Sequence, residues 1–522
     1  MENIIIEENH KNEVVNKIDP STLNNNKSNN SDNLYIEKND NDSRDFDQYV
    51  HDKRKYGLCP ECNRPNTFYN WCKKCCSEKF QQNFGNWTSG NKQINELIQK
   101  SQLSAKNCFQ PHEWIPYDRL RNIKYLAQGG FSTIYKAIWL DTSVEHWDYE
   151  KHDWKRYADE LDEQDHEDAS NSQIKNPLKI NEKYGFPVVL KNLDDSSNLN
   201  EDFLNEWKTH IQCLYKAYNH NIVFFPTFGI TQDPDTLNYM IVMDYAVYGS
   251  LRSNLSIKKY NSNDKFENLC YISEQLEVIH DLDLVHGDFH NGNILVDSGN
   301  ELKISDLGLC RPVNQPNIKN EIYGVIPYIA PEVLRGKPYT KASDIYSFGI
   351  IMWEMTSGVP AFHNIPHDIN LCLNICRGDR PEIIEGTMPE YVELMKSCWD
   401  NDPEKRPDVN NLMYFFGQWK EKYPIENNEE KRIPIPENEP EIIYHPKSCY
   451  ISRKLNYSAK LNEILLQDEL SNKIIILDDK NDNHDETSKN LELDELDDCI
   501  IKGIKRDLNE LDDCVIKKIK RD

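Results

Sequence analysis

The chain has 522 residues, of which 38% are hydrophobic, so it has room for roughly two to four domains with part of its length outside any packed core. A formal net charge of −26, from 87 acidic and 61 basic residues, argues against general nucleic-acid binding and against a polybasic membrane anchor. No run approaches the ~18–20 apolar residues of a bilayer span, the opening MENIIIEENH does not read as a signal peptide, and fifteen cysteines fit a reducing, intracellular, cytoplasmic setting in which paired cysteines hold metal more often than disulfides.

Residues 1–55 form an Asn-rich tail expected to be disordered, because so polar a tract buries too little surface to offset its ordering entropy. Residues 56–110 read as a small separate unit rich in Cys and aromatic residues. Within it, Cys59-Pro60-Glu61-Cys62 precedes Cys72-Lys73-Lys74-Cys75 by nine residues. Two tight turns of that kind offer four thiolates to one tetrahedral ion, and Zn²⁺ suits such a set in a structural or protein-binding role. Free cysteines in a reduced loop are the alternative, and Cys76 reads as a bystander able to replace Cys75.

From 117 to 420 the composition turns globular. Strand-like runs come first, at Val188-Val189-Leu190 and Tyr239 to Met243, and helical patterns follow, at Asp344 to Thr356 and Glu390 to Trp399. That order predicts a small β-rich lobe before a large helical one. Residues 141–186, with 13 acidic and 6 basic residues, read as an exposed acidic insertion between two strands. Residues 421–522 read as a Pro- and Glu-rich linker and a charged tail. The tail ends in a 15-residue repeat, LDELDDCIIKGIKRD then LNELDDCVIKKIKRD, which predicts a short amphipathic helix, either self-associating or without a partner.

Five motifs in order carry chemistry. Leu126 to Ala137, with Gly129-Gly130 at its turn, is a small-residue hairpin whose backbone N–H groups are able to approach a triphosphate. Lys191 ends an apolar strand and needs an anionic partner, and Glu206, fifteen residues on in a helical pattern, offers one. A Lys191–Glu206 pair would aim the ammonium at phosphates. In His286-Gly287-Asp288-Phe289-His290-Asn291-Gly292-Asn293, Asp288 is placed to accept a proton from an attacking hydroxyl and Asn293 to ligate a divalent metal. Asp306-Leu307-Gly308 adds a carboxylate suited to Mg²⁺.

Taken together, this set resembles the eukaryotic protein kinase signature over about residues 117–420. Further stretches extend the resemblance. Ala330-Pro331-Glu332 looks like the end of an activation segment, Asp344 to Gly349 like the helix that anchors the catalytic loop, and Ser397 to Asp400 with Arg406-Pro407 like the ending of tyrosine-kinase-like domains. With the Cys-rich segment and Trp87 to Gly90, the layout resembles an expanded fungal group of tyrosine-kinase-like kinases. The resemblance implies an α+β bilobal kinase fold, ATP with Mg²⁺ or Mn²⁺, a protein substrate and a Glu332–Arg406 ion pair. It implies catalytic roles for Asp288, Lys191 and Glu206, and metal binding by Asn293 and Asp306. Nucleotide contacts are implied for Ala127, Gln128, Gly129, Gly130, Ser132, Ile134, Val189, Met243, Asp244, Ala246 and Leu295.

The sequence also departs from the pattern. Ala127 and Ser132 replace two loop glycines, Val189 stands where Ala is usual, and His290 and Val325 replace a Lys and a Thr of serine/threonine kinases. Gly287 replaces the Arg before the catalytic Asp, so activity is expected to be independent of a phosphate on the activation segment. The expectation is an active protein kinase in intracellular signalling, with serine/threonine preferred to tyrosine. The alternative is a catalytically weak or inactive kinase-fold scaffold acting through partners, and a third reading is a zinc-dependent interaction protein.

Overall fold

The computed structural model describes residues 51–130, 132–168, 174–193, 201–218, 222, 224–256, 262–315, 322–423 and 442–481. The Asn-rich tract at 1–50, most of the linker and the repeat at 493–522 lie outside the described residues.

The chain begins with the Cys-rich unit, which carries α1 (Lys73–Asn83) and α2 (Lys92–Ser104). Asn91 caps α2 by accepting from the backbone of Gln93 and Ile94. Ile94, Leu97 and Ile98 recur at helical spacing and form its apolar face.

The small lobe is a twisted sheet. Its strands are β1 (Glu113–Trp114), β2 (Leu120–Gln128), β3 (Ser132–Trp139), β7 (Tyr184–Leu193), β8 (Thr227–Gln232) and β9 (Tyr239–Asp244), in spatial order β1-β8-β9-β7-β3-β2. The hydrophobic pattern sets the register: Val188 and Leu190 of β7 and Val242 of β9 are fully buried on the face that meets Leu120 and Trp139. Helix α3 (Glu201–Tyr218) crosses the other face. Its Leu204 and Trp207 share one core with Ile230 and Ile241 of the sheet and Ile94 and Ile98 of α2. The Cys-rich unit is therefore packed onto the small lobe rather than standing apart, because α2 has an apolar face that α3 and the sheet cover.

Between β3 and β7 the acidic insertion folds into a hairpin of β4 (Val144–Asp148) and β5 (Asp153–Arg156), and β6 (Asp159–Glu160) pairs with the start of β7. Val144 and Trp154 pack on Trp71 and Phe80 of the Cys-rich unit, with the Phe80 and Trp154 rings stacked at 4.3 Å. Arg156 closes the contact through a two-point pair with Glu113. The acidic composition masks these apolar residues, which turn the insertion into a clamp.

The large lobe is built on α4 (Ser262–Asp281), α5 (Lys341–Ser357), α6 (Ile369–Arg377), α7 (Pro389–Cys398) and α8 (Val409–Lys422). Helix α5 is buried along nearly its whole length; a reciprocal Thr340–Ser343 capping box starts it and Gly358, at φ +79°, ends it. Near the cleft the hairpin β10 (Ile294–Val296) and β11 (Leu302–Ile304) brings residues 293 and 305 to the same end. In the segment before Ala330-Pro331-Glu332 lies β12 (Ile322–Gly324).

Part of the stretch assigned to linker and charged tail is ordered. Arg453–Leu455 forms β13, antiparallel to β12, and Ser458–Asn481 forms α9, whose Leu461 and Leu465 enter the large-lobe core. No helix among the described residues is long and apolar enough to cross a membrane.

Candidate active site and cysteine cluster

Lys191 is fixed by its strand. It pairs with Ile134 of β3 on one side and Ile241 of β9 on the other, so its side chain leaves a rigid sheet toward the cleft. Its Nζ donates to Glu206 Oε1 at 2.6 Å and to Asp306 Oδ1 at 2.7 Å. Glu206 reaches it because Trp207 and Leu204, next to it on α3, are locked in the core shared with α2. Burial opposes the charge on Lys191, but Asp306 and Glu206 outweigh it and hold the ammonium well above the usual lysine range. Burial pushes Asp306 up, and Lys191 outweighs that and holds it below the usual carboxylate range. Burial and the nearby Asp306 raise Glu206, against the pull of Lys191.

Across the cleft, the loop 286–293 hangs from one buried carboxylate. Asp344 on α5 accepts the backbone N–H of His286 at 2.8 Å and of Gly287 at 3.1 Å, and lies 3.0 Å from His280 Nε2. Asn293 Nδ2 donates to the Asp288 carbonyl at 3.0 Å and to its Oδ2 at 3.3 Å. The β10–β11 ladder then ties Asn293 to the Asp306 segment: Ser305 donates from its backbone N–H and its hydroxyl to the Asn293 carbonyl, at 2.8 and 3.0 Å. Asp306 has φ +58° and accepts from the Gly308 N–H. Two oxygen donors of the type Mg²⁺ prefers, Asn293 and Asp306, thus share one end of a hairpin beside Lys191.

The residues expected to contact nucleotide lie in the β2–β3 hairpin, on β7, β9 and β10, and in the connection that follows β9. In the β2–β3 hairpin Ala127 pairs with Ile134, and the Gly129 N–H donates to the Ser132 carbonyl at 2.7 Å. A Cβ on Gly129 would meet the Ser132 hydroxyl at 2.9 Å and its carbonyl at 3.2 Å, so a larger residue there would displace the Ser132 side chain. Gln128 Nε2 also reaches the Ser132 carbonyl, at 3.3 Å. Val189 lies opposite Met243, and Asp244 follows, its backbone N–H bonded to Pro226 and its carboxylate accepting from the Tyr245 N–H. The Ala246 carbonyl accepts from Gly249, and Leu295 bridges to Ser250 beneath this connection.

Two departures acquire a physical setting. Gly287 has φ +74°, and a Cβ there would meet the Leu309 carbonyl at 2.9 Å and a guanidinium nitrogen of Arg311 at 3.3 Å. A cation therefore still stands beside the catalytic loop; it comes from Arg311, stacked on Tyr339 at 4.4 Å, a residue the motif spacing did not single out. His290 Nε2 lies 3.6 Å from Asp288 Oδ2, and its Nδ1 accepts from the Gly292 N–H at 3.0 Å. Asn291, beside it, donates to buried Glu354, which also accepts from the Tyr328 hydroxyl at 2.6 Å and the Ala361 N–H at 2.8 Å. Burial raises Glu354 to about 7 against these three bonds. Arg406 grips Glu332 with two bonds of 2.8 and 2.7 Å.

The four cysteines form a second cluster. Their sulfurs all lie within 4.8 Å of one another, with Cys59–Cys75 at 3.8 Å and Cys62–Cys72 at 3.5 Å. A tetrahedral ion with ~2.3 Å metal–sulfur bonds puts its sulfurs about 3.8 Å apart, so the set has the right size for zinc. Cys76 lies instead in the apolar cluster with Trp71 and Phe80. Burial raises Cys59, but hydrogen bonds from Tyr149 and from the backbone of Cys62 and Glu61 outweigh it and bring the thiol to about 7. The Tyr149 hydroxyl sits 3.3 Å from Cys59 Sγ. Tyr149, one of three tyrosines in the acidic insertion, gave no sequence signal of that contact.

A β-sheet lobe and a helical lobe that meet across a Lys–Glu–Asp cluster define a protein kinase domain. Residues 120–416 match the family described as protein tyrosine and serine/threonine kinase, and the chain belongs to that family. It is similar to the serine/threonine/tyrosine-protein kinase HT1 of Arabidopsis thaliana, with 26% identity over 49% of this chain and 65% of the relative. It is similar to the serine/threonine-protein kinase STY17 of the same plant, with 27% identity over 42% of this chain and 38% of the relative. A probable serine/threonine-protein kinase of Dictyostelium discoideum is 29% identical over 58% of this chain and 16% of its own length. The match thus spans between 16% and 65% of these relatives.

Proposed function

We propose that the chain is an active protein kinase of the tyrosine-kinase-like type, transferring the ATP γ-phosphate to a protein hydroxyl in intracellular signalling, with serine or threonine preferred to tyrosine. The observation that carries the reading is the single ammonium of Lys191 held between Glu206 and Asp306, 2.6 and 2.7 Å away. An ammonium satisfied by two carboxylates and facing a cleft is set to exchange one of them for phosphate oxygens. Mg-ATP, when bound, supplies the phosphoryl group and the charge that draws these residues together.

In this reading Glu206 orients Lys191, and Lys191 holds phosphate oxygens. Asn293 and Asp306 hold the metal. The glycine turn at Gly129 and Gly130 covers the phosphates, while Val189, Met243, Asp244, Ala246 and Leu295 enclose the base. Asp288 accepts the proton of the attacking hydroxyl, and Asn293 fixes its orientation through the 3.0 and 3.3 Å bonds. The segment from Asp306 to Pro331 contains no Ser or Thr. Together with Gly287 this supports activity that does not wait for a phosphoserine or phosphothreonine there. The sulfur spacing supports Zn²⁺ on Cys59, Cys62, Cys72 and Cys75 in a structural role. The Cys-rich segment ahead of the kinase domain is what supports kinship with the fungal group.

Purified protein with Mg-ATP is expected to phosphorylate itself or a generic protein substrate, and Asp288→Asn to lower that signal at least about 100-fold. Equal signal from the two proteins would overturn the reading.

A further inference from the structure

The ordered strap after the kinase domain crosses the front of the cleft. It is anchored below by Tyr450, whose hydroxyl donates to the Ala361 carbonyl at 2.7 Å and whose ring lies under Arg252. It is held to the same large lobe by Leu455 in the core and by Arg453, which donates to the His367 carbonyl at 2.7 Å. Between these anchors β13 pairs with β12 in the register Ile322 to Leu455, Tyr323 to Lys454 and Gly324 to Arg453. Gly324 of β12 lies against the 286–293 loop: a Cβ on it would lie 3.4 Å from Asp288 Oδ1. One residue beyond this paired end comes Ser452. Its carbonyl is so close to the glycine turn that a Cβ on Gly130 would overlap it. Ser452 is 9% exposed, and its hydroxyl has no hydrogen-bond partner among the described residues.

An extended segment that adds a strand beside a cleft is a common way to present a peptide. Here it places a buried, unpartnered hydroxyl beside the Gly130 turn, on the residue before Arg453, whose strand partner Gly324 lies against Asp288. A buried hydroxyl without a partner is costly, and a site that keeps one needs a reason. We propose that residues 450–455 occupy the peptide-substrate channel in cis and that Ser452 is an intramolecular phosphoacceptor. The inference rests on the kinase reading of the cleft. In the step, a bond forms between Ser452 Oγ and the γ-phosphorus of ATP. The bond from that phosphorus to the β–γ bridging oxygen breaks, ADP leaves, and the hydroxyl proton passes to the Asp288 carboxylate. A phosphate on Ser452 then carries a charge that the tight contact with Gly130 does not accommodate, so the strap lifts and the channel opens to other substrates.

Full-length protein incubated with Mg-ATP and mapped by mass spectrometry is expected to gain one phosphate, on Ser452. Its rate per molecule is expected to stay constant over a 100-fold range of protein concentration. Ser452→Ala is expected to lose at least nine-tenths of self-phosphorylation and, because its strap does not lift, to phosphorylate a generic peptide at least tenfold more slowly than the wild type, a loss that Arg453→Ala restores by freeing the strap. Without nucleotide, amide hydrogens of 322–324 and 453–455 are expected to exchange slowly, and at least tenfold faster in Arg453→Ala, a surface-strap variant outside the catalytic set. A protein that phosphorylates the peptide but leaves Ser452 bare, or labels it at a rate that rises with concentration, overturns this inference alone. A protein that phosphorylates neither overturns the kinase reading and this one together. Fast exchange at both strands in the wild type overturns the strap geometry whatever the activity.

Discussion

Two regions outside the family match, residues 56–110 and 442–481, embrace the kinase domain, and they are held on by different physics. The first closes around four cysteines and shares an apolar core with α3, including Ile94, Ile98 and Trp207, all without solvent exposure. The second is held by a three-residue strand pairing, a few polar bonds and the burial of Leu455, Leu461 and Leu465, with Tyr450, Tyr457 and Ile464 packed beside them, and it leaves Ile451, Leu466 and Leu470 exposed. Regions with few buried contacts open at low free energy, whereas those fused to a core open only with it. The N-terminal unit is therefore expected to act as a brace for the helix that carries Glu206, and the C-terminal strap to open more readily than that unit.

The largest test of this contrast strips the metal. One zinc per chain is expected by elemental analysis, and structural zinc in small units contributes on the order of 10 kcal/mol to folding. Chelation, or Cys72→Ser, is expected to raise amide exchange across α2 and α3 together and to abolish the thermal stabilisation by Mg-ATP, while 453–455 keep their exchange rates. Metal loss that leaves α3 unchanged would end the idea of a brace.

Trp207→Ala comes next. Its ring is fully buried where α2, α3 and the sheet meet, and removing such a side chain costs about 3–5 kcal/mol. Because Glu206 is its neighbour, the variant is expected to lose ATP-dependent stabilisation as well as melting temperature. A variant that melts lower but keeps its full ATP response would separate the brace from the ion pair.

The floor under the strap gives a pH test. Glu354, bonded to Ala361 where Tyr450 also docks, is raised by burial to about 7. A carboxyl whose folded value exceeds its unfolded value of about 4.5 lends stability that is complete below about pH 4.5 and is lost as pH rises through about 7. The loss amounts to roughly 3 kcal/mol. Melting curves from pH 5 to 8 are expected to fall for the wild type and to run flatter for Glu354→Gln. Parallel curves would mean that Glu354 stays ionised in the folded chain.

What was legible in the sequence follows the same divide. Lys191, Glu206, Asp288, Asn293 and Asp306 announced themselves because each sits in a local motif whose spacing its chemistry dictates. The helices read at Asp344 and Glu390 appear as Lys341–Ser357 and Pro389–Cys398, the first an apolar run long enough to be a buried helix and the second patterned at helical spacing by Tyr391, Leu394, Met395 and Cys398. The docking of the Cys-rich unit was half visible: Ile94 and Ile98 mark an apolar face, but a face does not name its partner. The strap was hidden. Arg453-Lys454-Leu455 has no strand alternation and pairs with residues more than a hundred positions away, and the Pro- and Glu-rich run before it read as the start of one long linker. Arg311 and Tyr149 matter only through contacts made in three dimensions.

The smallest expected effect decides what docks α9. Arg377 and Asp468 make a 2.7 Å ion pair at its outer side, but their side chains are 48% and 43% exposed. Solvent screens such a pair to about 0–1 kcal/mol. Leu461, by contrast, is fully buried in the large-lobe core, and truncating a buried leucine costs about 2–5 kcal/mol. Asp468→Ala is therefore expected to shift exchange in 453–455 by less than about fivefold, and not at all at high salt. Leu461→Ala is expected to shift it far more at any salt. If Asp468→Ala alone frees the strap, its attachment is electrostatic and would respond to ionic strength. If only Leu461→Ala does, the strap is held by apolar burial and responds to whatever changes at Ser452.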